Sequence, residues 1–133
     1  MNKELFHSIG LAILRISFGG FMLFAHGWPK LMKFSDMKDT FPDPLGIGNQ
    51  LSLISAIGTE VGCALLLMLG LGTRYSAALL AFTMLVAAFI VNGGQGFQKQ
   101  ELALVYLAAY VVLVFTGGGR FSIDQFSGKR WLS

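Results

Sequence analysis

Long uncharged stretches set the pattern of the chain: residues 16–29, 44–59, 61–73, 75–98 and 102–119 contain no Asp, Glu, Lys or Arg. A bilayer core needs about 20 predominantly apolar residues per helix. Stretches divided only by Arg15 or by Glu60 therefore read as single helices with one internal charge. The pattern predicts four spans, near residues 8–27, 51–72, 74–92 and 100–117. Leu71-Gly72-Thr73-Arg74 can join the second and third spans only as an antiparallel hairpin, and Asn92-Gly93-Gly94-Gln95-Gly96 turns the third into the fourth. The expected fold is all-α: an integral membrane four-helix bundle, up-down-up-down, forming a single domain over 1–133.

Only the first connection, residues 28–50, is long. It opens with Trp28-Pro29, where proline is expected to end the helix and Trp28 and Lys30 to sit at the membrane interface. Leu31, Phe34, Met37 and Phe41 then recur at helical spacing among Lys30, Lys33, Asp36, Lys38 and Asp39. This predicts a short helix lying on the membrane surface. Pro42-Asp43-Pro44 turns the chain into the second span.

Composition strengthens the reading. Hydrophobic residues make up 54% and charged residues 13%, against roughly 25% charged in a soluble domain, and the mean hydropathy is +0.65. A water-soluble enzyme is excluded. The apolar run after Lys3 also has the look of a cleaved leader, but Arg15 interrupts it and Leu23-Phe24-Ala25-His26-Gly27 is a poor cleavage site, so the run is expected to remain as a span. A single cysteine, Cys63, allows no intrachain disulfide, and with two histidines it offers no metal-ligand set. The pI of 9.3 suits anionic lipid headgroups better than nucleic acid. Both termini are expected to be cytoplasmic, with Lys3, Arg74, Arg120, Lys129 and Arg130 inside and Lys30, Lys33, Lys38 and Lys99 outside, because the basic tail follows a membrane exit and Asp36, Asp39 and Asp43 offset the lysines of the first loop.

An ionisable residue within a span costs about 2.5–3.5 kcal/mol on insertion scales and usually faces the bundle interior or a wet cavity. Arg15, His26, Glu60 and Glu101 are the candidates. At about 100° per residue, Arg15, Gly19, Met22 and His26 form one narrow stripe. Arg15 and Glu60 both approach the middle third of their expected spans, so they are the natural ion pair. Such a pair reads either as a polar, proton-accessible pocket or as a structural lock on helix register. Glu101, just after Lys99, is either a pocket residue or a partner of its own helix dipole. The G-x-x-x-G of Gly58 and Gly62 and the stripe Ala77, Ala81, Ala88 read as packing faces and leave oligomerisation open. No nucleophile elbow, P-loop, dinucleotide fingerprint or C-x-x-C occurs.

Leu14-Arg15, the run Phe24-Ala25-His26-Gly27-Trp28-Pro29-Lys30-Leu31, Glu60, Gln100-Glu101-Leu102-Ala103-Leu104 and Gly117-Gly118-Gly119-Arg120-Phe121-Ser122-Ile123-Asp124 together resemble the DoxX family of small bacterial four-helix membrane proteins. The resemblance covers about residues 8–126, with Gly118 where a proline often stands. It implies a multi-pass protein of the bacterial inner membrane linked to redox complexes. Relatives include membrane subunits of thiosulfate:quinone oxidoreductases and partners of a superoxide dismutase and of a thiosulfate sulfurtransferase. The function so implied is that of a membrane subunit of a redox-linked assembly, at most a partner-dependent oxidoreductase subunit. Its intramembrane polar pocket would hold a quinone or another small lipophilic molecule. A proton-coupled small-molecule transporter using Glu60 and a purely structural membrane scaffold are the alternatives.

Overall fold

The computed structural model describes residues 3–127, so Lys129 and Arg130 of the basic tail lie outside the described residues. Among the described residues four helices are long and apolar enough to cross a membrane: α1 (Lys3–Met32), α3 (Asn49–Leu69), α4 (Thr73–Val91) and α5 (Phe97–Thr116). Two short helices complete the fold, α2 (Phe34–Met37) in the first connection and α6 (Ile123–Ser127) after the last span. No strand occurs among the described residues. Successive spans run in opposite directions, so the ends of α1 and α4 share one end of the bundle with the starts of α3 and α5. Both termini of the described chain lie at the opposite end.

The centre is built from small residues of α4 against larger ones of α5. Ala77, Ala81 and Ala88 are buried with Ala103, Tyr106, Tyr110 and Leu113. Without a hydrophobic drive between helices in lipid, close backbone approach over alanines is what supplies packing contact. The other small-residue motif does not serve in this way. Gly58 and Gly62 face outward, and a side chain at either would meet nothing.

The first helix departs from expectation at both ends. It begins at Lys3 and runs through Pro29 to Met32. Proline does not stop it because Leu23–Gly27, immediately ahead, forms a π-helical turn in which the Trp28 N–H reaches back to the Leu23 carbonyl. The widened turn accommodates the ring that would otherwise clash with the preceding turn. The helix breaks at Lys33 instead, with φ −105° and ψ 23°. The expected surface helix is therefore in two pieces, and Phe41 folds back over the bundle end.

At the other end, the α3–α4 hairpin turns on Gly70, at φ +76°. A Cβ there would lie 2.7 Å from Ser122 Cα, so both the left-handed backbone and the close approach require glycine. The chain after α5 is bound onto this hairpin. The Asp124 N–H donates to the Gly70 carbonyl at 3.1 Å, and the Gly72 N–H donates to Asp124 Oδ2 at 2.6 Å.

Candidate functional site

The in-span charges fall into two separate places. Arg15 is 2% exposed and belongs to the terminal end of the bundle. Its guanidinium donates to the Gly118 carbonyl at 2.7 Å, the Phe121 carbonyl at 3.0 Å and the Met68 carbonyl at 3.5 Å. Glu60 is 3% exposed and pairs with Lys30 instead, Nζ to Oε1 at 2.5 Å. The expected Arg15–Glu60 pair does not form, and the reason is register. Gly19 packs on Ala64 and Met68, and Gly27 on Glu60, so Arg15 lies level with Met68. Eight residues of helix, about 12 Å, separate that level from Glu60.

Two π-helical turns build the second place. Leu23–Gly27 carries His26, and Gly58–Cys63 carries Glu60. Such turns occur as single-turn bulges, often where a functional side chain must be aimed. The two turns face each other in direct contact. They approach so closely that a Cβ on Gly27 would sit 2.6 Å from the Glu60 carbonyl oxygen. Lys30 lies three residues past Gly27, hence on the same side of α1, and reaches the carboxylate. The His26 ring stands edge-on to Tyr106, with centroids 5.5 Å apart at 89°. Tyr106 stacks on Tyr110 at 6.0 Å, and the Tyr110 hydroxyl donates to the Phe18 carbonyl at 3.1 Å. His26 is thus seated against an aromatic ladder anchored to its own helix.

Above this pair lies a cavity of about 540 Å³, at the bundle end opposite the described chain's termini. His26, Lys30 and Glu60 supply polar groups to a mostly apolar wall. The size and character are those of small-molecule sites, which are concave, mainly apolar and oriented by a few placed polar groups. Arg15 and Glu101 are not part of the wall; Glu101 is exposed at the start of α5, where Lys99 faces the cavity instead. Trp28 is 49% exposed on the outside of α1. The sequence pattern did not single out Lys99, nor Thr59 and Thr83, whose hydroxyls meet at 3.2 Å across α3 and α4. The signal for the roof was Phe41, an aromatic residue set against Pro42 in a polar connection.

Asp43 holds that roof in place. Its carboxylate accepts from the Ile47 and Gly48 N–H groups, each at 2.9 Å, and from Ser52 Oγ at 2.9 Å. The segment from Phe41 to Ile47 is thereby folded onto the start of α3, with Phe41, Pro44 and Ile47 against the cavity. The Gly48 N–H bond, helped by Ser52 and Ile47, holds the Asp43 carboxyl below its ordinary value of 3.8. A depressed folded-state pKa adds stability that is full above the ordinary value and lost as pH falls through the lower, folded one. Hydrogen-exchange protection of the Ile47 and Gly48 amides should therefore be lost on acidification below the ordinary carboxyl value of 3.8 while the spans stay protected. Asp43→Asn should show the loosened roof already at neutral pH; wild-type protection that does not fall with pH in acid while the spans hold counts against Asp43 as the latch.

A membrane bundle of four antiparallel helices with a mostly apolar cavity set over an ion pair defines the class. The DoxX family model matches residues 10–93, and the chain belongs to the DoxX family. It is similar to two uncharacterized proteins of Haemophilus influenzae. One is 32% identical over 137 aligned positions covering 93% of this chain and 95% of the relative, the other 28% identical over 93% and 90%. No solved structure matches.

Proposed function

We propose that this DoxX-family protein is a membrane subunit of a redox-linked assembly and that its cavity binds a small lipophilic molecule with a polar head, of the quinone class. The observation that carries the reading is the buried Lys30–Glu60 pair at the base of an otherwise apolar cavity. An ammonium and an imidazole can donate to a carbonyl oxygen, and a carboxylate accepts from a hydroxyl. Oxidised and reduced heads would both find partners at that place. The roof and the apolar wall would keep water from competing with these bonds. We place the protein in the bacterial inner membrane with both termini cytoplasmic, on the basic residues of the terminal end, so the cavity lies in the outer half. The partner would be a redox or sulfurtransferase protein, since Cys63 is alone and buried.

Native mass spectrometry of protein gently extracted from its own membranes tests this. Wild type should retain a quinone at near-stoichiometric occupancy, and Glu60→Gln should lower occupancy at least tenfold while remaining folded. Intact wild-type protein carrying no lipophile, or a Glu60→Gln protein with unchanged occupancy, would overturn the reading.

A further inference from the structure

We propose that the ligand's tail leaves the cavity sideways, between α3 and α4, so that the site loads from the bilayer and selects a head bearing one long flexible chain. The inference rests on the reading of the cavity as a lipophile site. The two helices pack together along the lower part of α3, from Gly58 to Leu69, whereas the first turns of α3, Asn49–Ile57, pack far less against α4. The hydrogen bond between Thr59 and Thr83 marks the lower edge of this gap. Above it, Ser55 on α3 and Val86 on α4 form the two sides, and both face the cavity.

The gap reaches the outer surface. Phe82, level with its lower edge, is cavity wall and yet 55% exposed, and Leu79, one turn below that edge, is 52% exposed, so the concave surface continues down the outer face of α4. That face lies within a helix apolar enough to span the membrane, and what covers it there is lipid hydrocarbon. An alkyl or isoprenoid chain lying over Leu79 and Phe82 exchanges one apolar contact for another, while its head exchanges lipid for hydrogen-bond partners. At the bundle end, Phe41, Pro44 and Ile47 of the segment that Asp43 ties down lie against the cavity and narrow the way in from that side. A head with two bulky chains would have to part α3 from α4 below Thr59 and Thr83, which the close packing there opposes.

The test compares two probes sharing one quinone head, one with a decyl chain and one with none, bound to wild type and variants in phosphatidylcholine nanodiscs. Comparing each variant with wild type in the same discs cancels the probes' different partitioning. Ser55 is exposed at the side of the gap, so Ser55→Phe should fill the passage without overpacking the core. It should weaken the decyl probe at least tenfold and the chainless probe by less than threefold. Phe115→Trp, on the exposed face of α5 and outside the cavity wall, should leave both within threefold. Equal loss of both probes in Ser55→Phe, no loss of either, or selective loss in Phe115→Trp would each overturn the sideways path while leaving the lipophile site standing. Wild type that binds neither probe would overturn the site itself.

Discussion

Arg15→Ala is expected to destabilise the bundle by about 3–5 kcal/mol, one of the two largest effects of any single substitution proposed for this chain. Three backbone carbonyls, of Met68, Gly118 and Phe121, converge on the guanidinium in a setting where it is 2% exposed. Each buried acceptor left without a donor costs about 1–3 kcal/mol, and lipid offers no water to replace the lost bonds. The bonds also connect segments far apart in sequence: α1, the α3–α4 hairpin and the chain after α5. Their loss should free the last segment first, seen as proteolytic cleavage after Thr116 before the spans unfold. Arg15→Lys keeps the charge but presents no planar fork for three acceptors, so it should recover less than half of the loss. Thermal unfolding in a fixed detergent, monitored by circular dichroism, measures all three proteins. A wild-type midpoint for Arg15→Ala would show that the carbonyl cage holds nothing together.

This cage explains both what was legible and what was not. The spans were legible because lipid leaves few choices: a backbone with no water must bond within its own helix, and charges must be rare. The stripe of Arg15, Gly19, Met22 and His26 was correct as a face, and Ala77, Ala81 and Ala88 as a packing surface. The pairing of charges was not legible, because it depends on how far one antiparallel helix slides along another. That slide is set by contacts such as Gly27 on Glu60, which no single-helix pattern contains. The π-helical turns at Leu23–Gly27 and Gly58–Cys63 add to the difficulty: each shifts the angular register of the residues beyond it, and the first also carries the helix past Pro29. Lys30 therefore reads as interfacial in the sequence, whereas its amine reaches inward to Glu60. The series Gly117 to Asp124 has the composition of a glycine-rich stop. Its shape comes from serving as Arg15's acceptor and as the clasp of the hairpin through Asp124.

Lys30→Met gives the other large effect, and it separates structure from binding. The Lys30 side chain is 20% exposed and that of Glu60 5%, so removing the lysine strands a carboxylate inside the bundle. Breaking a buried pair from one side costs about 3–5 kcal/mol, because the remaining charge loses its partner but not its desolvation. Replacing both partners with apolar residues of similar volume is often neutral. The double variant Lys30→Met with Glu60→Leu should therefore unfold within about 1 kcal/mol of wild type, a coupling of at least about 2 kcal/mol across the cycle. Ligand should behave differently: the double variant, though stable, should bind the decyl quinone probe no better than Lys30→Met alone, because the head has lost both its donor and its acceptor. A double variant that is stable and still binds at wild-type affinity would reduce Lys30 and Glu60 to a register lock. In that case the polar head would have to be held elsewhere on the wall, at His26 against Tyr106.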